Sequence, residues 1–169
     1  MPATTFTTRI CPITIEFSDQ HVTRLRLHSR LENVGAGEAC ESPAWVQSVI
    51  SDVQRHMAGE VQDFRGVPLA LTGVGDFAQS VYAALRQVAP GQTVTYGELA
   101  ARVGRPNAAR AVGRAMAGNP LPLLIPCHRV IGANGRLTGF SGADGCLTKA
   151  QILTAEGFLP GITSDSHPF

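Results

Sequence analysis

Apolar and polar residues alternate through the first thirty positions, whereas apolar residues recur at three- and four-residue intervals in most of the remaining chain. A chain with both periods folds as a mixture of sheet and helix, with the sheet early and the helices late. Ile10, Ile13, Ile15 and Phe17, then Val22, Leu25 and Leu27 among Thr23, Arg24, Arg26 and His28, predict two or three antiparallel strands. The turn falls near Asp19–Gln20. Residues 32–41 are polar and contain Gly, so they read as a loop. Ser42-Pro43 reads as a helix start, with Ser as N-cap and Pro at the first helical position. Val46, Val49, Ile50, Val53 and Met57 continue it at helical spacing up to Gly59. Val67–Leu71 reads as one more strand. Residues 1–72 thus form an N-terminal α+β domain that carries no motif of its own.

A second domain, residues 73–157, is predicted to be mostly helical, followed by a Pro-, Gly- and Ser-containing tail, 158–169, that frays. Asp76 is placed to cap a helix with Phe77, Val81, Leu85 and Val88 inward, ended by Pro90-Gly91. Thr95-Tyr96-Gly97-Glu98 has the capping-box pattern. It opens a short helix with Leu99, Ala100 and Val103 inward. After the turn Gly104-Arg105-Pro106, a second helix runs from about Asn107 to Ala117 with Val112 and Met116 inward. Two short helices joined by a Gly-containing turn make a helix-turn-helix. The second helix carries Arg110 and Arg114 on one face beside Ala108, Ala109, Ala111 and Gly113. Such a helix packs on a neighbour within the protein, or it approaches a duplex closely and presents its arginines to phosphates or bases.

Charge distribution favours the second choice. The net charge of +1 over 169 residues hides a division: residues 1–85 carry −3 and residues 86–169 carry +4. Between Leu99 and Ala143 there are six arginines and no acidic residue. A one-sign stretch of that length points to an anionic partner. The 44% apolar content excludes wholesale disorder, and no apolar run approaches a membrane span. No secretory pattern is visible, so the expected location is the cytoplasm.

The cysteines, Cys11, Cys40, Cys127 and Cys146, are irregularly spaced and have no C-x-x-C pair. A disulfide framework and a zinc site are therefore not expected, and neither a metal nor a cofactor is. Three of them read as small buried hydrophobes. Cys127 differs. It ends a proline-stiffened apolar segment, Asn119-Pro120-Leu121-Pro122-Leu123-Leu124-Ile125-Pro126, and is followed by His128 and Arg129. Positive neighbours favour the reactive thiolate. For His128 to act as base it needs a water or a special turn to reach the sulfur.

The stretch from Tyr96 to Glu156 resembles the O6-alkylguanine-DNA alkyltransferases. The matching pieces are Thr95-Tyr96-Gly97-Glu98-Leu99-Ala100, Ala108-Ala109-Arg110-Ala111-Val112-Gly113, Gly118-Asn119-Pro120, Ile125-Pro126-Cys127-His128-Arg129-Val130-Ile131, Gly135 to Gly142, and Glu156-Gly157. The resemblance implies a ribonuclease-H-like first domain and a winged-helix-like second one. It implies repair of duplex DNA, as a monomer bound in the minor groove, with the damaged nucleotide flipped out. Cys127 is then the acceptor of a methyl or small alkyl group from O6 of guanine, and from O4 of thymine, in a single irreversible transfer. His128 deprotonates it through a water, Glu156 orients His128, and Asn119 braces the active-site turns. Tyr96 hydrogen-bonds the guanine and helps turn it out. Val130, Phe140 and Ser141 line the pocket with Tyr96. Arg110 fills the gap in the duplex, Ala109 and Gly113 permit close approach, and Arg114 meets the backbone.

The sequence departs from the family pattern in places. Tyr82 and Ala78 stand where Trp and Gln are common, and both read as packing changes. The segment from Ser141 to Lys149 is longer by about two residues and contains Asp144-Gly145-Cys146. That loop shapes the alkyl pocket, and Asp144 is placed to repel phosphate. Three rival readings exist. A catalytically dead relative that only marks lesions would lack the acceptor cysteine, which is present here, and the alternative that stands is a lesion sensor with weak transfer. A helix-turn-helix regulator leaves the Asn119–Val130 segment unexplained. A cysteine hydrolase needs a group that activates water, and none stands out.

Overall fold

The computed structural model describes residues 1–34, 41–140 and 142–158. Most of the loop expected over 32–41, and the tail after Phe158, lie outside those residues. Strands β1 (Ala3–Phe6), β2 (Ile13–Phe17) and β3 (Val22–Leu27) form an antiparallel sheet in that order. In β2, Ile13, Ile15 and Phe17 are buried, with Thr14 and Glu16 between them less so. The β2–β3 register shifts between Glu16 and Phe17, so Arg24 faces Glu16 while Val22 faces Phe17. This bulge explains how Val22 and Leu25, three apart, are both buried. The turn joins Ser18 to His21, as the alternation predicted.

Helix α1 (Ala44–Met57) buries Val46, Val49, Val53, His56 and Met57. Its start differs from expectation. Pro43 takes the cap position without a side-chain bond, and the Ser42 hydroxyl lies 2.6 Å from that of Thr4 on β1. A tertiary partner thus takes the hydroxyl that local logic assigned to the helix. Val67–Leu71 is not a strand either. It touches β3 through one parallel bridge, Val22 to Leu69, because Pro68 has a carbonyl to offer and no N–H.

Helix α2 (Asp76–Leu85) is capped by Gly75, and Asp76 is its first residue rather than its cap. There the carboxylate favours the positive end of the helix dipole without a cap bond. Tyr82 is buried, and its hydroxyl donates to the Ala115 carbonyl at 2.6 Å. After β4 (Val94–Thr95), helix α3 (Tyr96–Arg102) opens with the predicted capping box: Thr95 and Glu98 exchange bonds of 3.1 and 2.9 Å. Helix α4 (Ala109–Ala117) begins two residues later than expected and buries Val112, Ala115 and Met116.

A 3₁₀ turn, Cys127–Arg129, leads into β5 (Val130–Ile131), which pairs in parallel with β4. That pairing sets the cysteine turn beside the start of α3. Helix α5 (Cys146–Ala155) ends at Glu156, close to the last turn of α1. The result is a mixed α/β structure whose buried apolar residues, from Ile13 to Ile152, form one continuous core. Among the described residues no helix is long and apolar enough to cross a membrane.

Candidate active site

The segment before the cysteine is folded on itself by one side chain. Asn119 donates from Nδ2 to the Ile125 carbonyl at 3.0 Å and accepts from the Leu121 N–H at 2.9 Å. Ile125 N–H returns to the Leu121 carbonyl at 2.8 Å, and Leu123 adopts a positive φ of 76° at the apex. Leu121, Leu123, Leu124 and Ile125 are buried beneath, and the three prolines restrict φ and need no hydrogen-bond acceptor. The cysteine therefore sits on a loop with little freedom.

Cys127 is 7% exposed. Burial pushes its thiol above the ordinary range, while Asn119 and the charge of Lys149 pull it back. The resting group is a thiol, and deprotonation must accompany reaction. Behind it His128 is fully buried, with Nε2 2.7 Å from Glu156 Oε1. Because Nε2 must donate to the carboxylate, the free lone pair is on Nδ1, which has no partner among the described residues. Burial lowers the His128 pKa, Glu156 opposes that, and Arg129 and His56 add to it, leaving a neutral imidazole near neutral pH.

Glu156 gathers more than His128. Arg129 donates to both its oxygens, at 3.0 and 2.7 Å, and to the Val88 carbonyl at 2.7 Å. His56 Nε2 lies 2.9 Å from Oε1. Burial alone would favour a protonated Glu156. The donors from His128, His56 and Arg129 outweigh it and hold the carboxyl well below the usual carboxylate range. Lys149, the only lysine, is fully buried and donates to the carbonyls of Val130 and Thr138 at 2.5 and 2.8 Å.

A cavity of about 250 Å³ opens over the sulfur, lined by Cys127, Tyr96, Gly113, Met116, Ala117, Gly139 and Phe140. Of the residues predicted for the pocket, Tyr96 and Phe140 line it. Val130 is buried and does not, and Ser141 lies outside the described residues. The Tyr96 hydroxyl accepts from Thr138 at 3.3 Å. Gly113 brings α4 to the cavity, and the space where its Cβ would stand is open. Arg110 and Arg114 are exposed on the same helix, and Ala109 is half-buried. A second cavity, about 320 Å³, is lined by Phe64, Arg86, Leu124 and Arg129 among others, and not by Cys127.

Sequence reasoning missed His56, Lys149 and the grip of Arg129 on Glu156. A signal existed for His56: it follows Val46, Val49 and Val53 on the buried stripe of α1. Of the three cysteines expected to be buried, Cys11 is, and Cys40 lies outside the described residues. Cys146 is exposed instead, because it is the first residue of α5 and stands at the surface. The longer loop is also tied to the N-terminal sheet. Asp144 accepts from the Ser29 hydroxyl at 2.7 Å, and Ala143 N–H donates to Leu27 at the end of β3.

A buried thiol with an imidazole and a carboxylate behind it, opening on a cavity beside an arginine-bearing helix, is the arrangement of a cysteine nucleophile. Residues 76–158 match the family model described as 6-O-methylguanine DNA methyltransferase, DNA binding domain. A methylated-DNA–protein-cysteine methyltransferase of Mycobacterium tuberculosis is 38% identical over 147 residues, 87% of each chain. One from Shigella flexneri is 39% identical over 145 residues, 85% of this chain and 80% of the relative. The crystal structure of Mycobacterium tuberculosis OGT in complex with DNA superposes with a TM-score of 0.78 at 36% identity, covering 94% of both chains. The chain belongs to the methylated-DNA–protein-cysteine methyltransferase family.

Proposed function

We propose that this protein repairs duplex DNA by moving a methyl or small alkyl group from O6 of guanine, and from O4 of thymine, onto Cys127, once per molecule. The observation that carries this reading is the placement of the Cys127 thiol between the cavity and the His128–Glu156 pair. The O6 substituent is out of reach within a stacked duplex, so the nucleotide must leave the stack. Helix α4 enters the minor groove through its Ala109–Gly113 face, Arg110 fills the space left by the base, and Arg114 meets phosphate. Tyr96 donates a hydrogen bond to the guanine, and Phe140 and Ser141 line its pocket.

In the chemical step the thiol proton passes through a water to Nδ1 of His128. The sulfur forms a bond to the alkyl carbon as the carbon–O6 bond breaks, and guanine leaves with the electron pair. Glu156 fixes the tautomer of His128 and stabilises its charged form, the third-group role familiar from hydrolase triads. Asn119 holds the loop that aims the sulfur. None of these steps calls for a metal or a cofactor.

The antiparallel sheet with α1 supports a ribonuclease-H-like unit over residues 1–72. The α3–turn–α4 pair beside β4 and β5 supports a winged-helix-like unit over 73–157. The protein acts as a cytoplasmic monomer.

The test is an intact-mass and peptide-mass spectrum after mixing with duplex DNA that contains O6-methylguanine. One methyl per protein, on Cys127, is expected. Cys127→Ser should take up none and still bind the DNA. Binding without any added mass would instead make the protein a lesion sensor.

A further inference from the structure

We infer that His56, in the last turn of α1, is a positioning residue for alkyl transfer: it shares one oxygen of Glu156 with His128 and limits how firmly that carboxylate holds the His128 proton. This rests on the reading of His128 as the base for Cys127. His56 is fully buried. Its Nδ1 accepts from the Gln62 backbone N–H at 2.9 Å, so that nitrogen carries no proton and Nε2 must be the donor to Glu156. The Phe64 ring, centroid 5.0 Å away, packs on the imidazole. Both nitrogens are thus committed and the ring is held in one orientation.

A buried histidine with satisfied nitrogens is ordinarily a packing residue. The acceptor makes this one different. Oε1 of Glu156 receives His56 at 2.9 Å, His128 at 2.7 Å and Arg129 at 2.7 Å, while Oε2 receives Arg129 alone at 3.0 Å. An oxygen that already accepts two other donors offers less to the third. Each donor therefore weakens the pull of Glu156 on the imidazolium of His128. His128 is faced by Glu156 at the end of α5, by Arg129 and Cys127 in its own turn, and by His56 from α1. Of these, His56 is the one contributed by the N-terminal segment. It gives that segment a hand in the chemistry.

Without the His56 donor, Glu156 holds the His128 proton more tightly. His128 then stays protonated to higher pH, so less of it is free to act as base on the acid side of neutrality. Gln at this position places an amide N–H near the site of Nε2 and restores the donor.

The experiment measures single-turnover methyl transfer from an O6-methylguanine duplex to the full-length protein across pH, for wild type, His56→Leu, His56→Gln and His128→Asn. For His56→Leu the acid limb of the rate should move up by about half a pH unit or more, with transfer about three-fold slower on that limb. The alkaline rate and the one-methyl stoichiometry should stay near wild type, and His56→Gln should return the wild-type profile. A purely structural role would lower the reactive fraction equally at every pH, and that result overturns the inference. Should His56→Leu fail to fold, nitrogen NMR of wild type decides: His56 must carry its proton on Nε2, and a proton on Nδ1 sinks the idea. An unchanged profile in His56→Leu with slow transfer in His128→Asn overturns only the role of His56. A wild-type profile in His128→Asn removes the base itself, and the inference with it.

Discussion

Glu156 accepts four hydrogen bonds from three side chains that lie 27, 28 and 100 residues before it in the chain. This arrangement ties stability to pH in a definite direction. The native pKa of His128 lies below its ordinary 6.5, through burial first. As pH falls through that value, the unfolded chain gains a proton that the native protein does not, so stability drops. The native pKa of Glu156 is depressed as well, by the donors around it. Its contribution is present above the ordinary 4.5 and is lost as pH falls below that. Both groups act in the same sense. Melting temperature should be level between about pH 7 and 8, begin to fall below about pH 6.5, and fall more steeply below about pH 4.5. Thermal melts of His128→Asn should lack the first stage. A wild-type melting temperature that rises between pH 7 and 5 would contradict this account. At this scale local spacing in the sequence picked out Cys127 beside His128 and Arg129, and the family resemblance added Asn119 and Glu156. His56 is joined to Glu156 by the fold alone, and no local pattern records such a contact.

The elements aim these residues, and one loop does so with almost no tolerance. Between α2 and β4, Gly91 adopts a φ of +78°, and a Cβ placed there would stand 2.9 Å from the backbone oxygen of Glu156. Gly91→Ala therefore meets both a strained backbone conformation and a clash with the end of α5. It should destabilise the protein by about 2 kcal/mol. Because the clash bears on Glu156 itself, transfer to Cys127 should slow even in the folded fraction, which rate and reactive fraction measured together would separate. A folded variant with a wild-type rate would mean that Glu156 tolerates displacement. The elements also differ in how legible their boundaries were. The capping box of α3 needs only Thr95 and Glu98, three residues apart, and it formed as expected. The start of α1 depends on Thr4, about forty residues earlier, which draws away the Ser42 hydroxyl. The Val67–Leu71 segment has the apolar content of a strand, but Pro68 brings no N–H to a ladder, whatever its neighbours offer.

Over the whole molecule the N-terminal sheet is fastened to the active-site segment at several points. Leu25 N–H donates to the Pro120 carbonyl at 3.0 Å, next to Asn119. Ala143 N–H donates to the Leu27 carbonyl at 3.1 Å, and the Ser29 hydroxyl to Asp144 at 2.7 Å. The end of β3 thus holds both the segment that leads to Cys127 and the longer loop beyond Phe140. These links explain why the chain divides so clearly in its hydrophobic period and in its charge, yet has one core. They also bear on which alkyl groups fit. A Cβ on Gly142 would lie 3.0 Å from the Phe140 ring and 3.4 Å from Leu27, so the Phe140 wall of the cavity rests on a residue wedged against β3. Loosening the loop should let that wall retreat. Ser29→Ala removes two exposed hydrogen bonds, the one to Asp144 and a 3.3 Å bond from the Leu31 N–H, with a stability cost of about 1 kcal/mol or less. It should raise the rate with O6-benzylguanine relative to O6-methylguanine several-fold, because only the larger group needs the wall to move. The two rates, measured on the free bases so that DNA binding does not enter, give the ratio directly. An unchanged ratio would place the limit on alkyl size in Tyr96 and Met116, on the helical side of the cavity, rather than in the loop that β3 restrains.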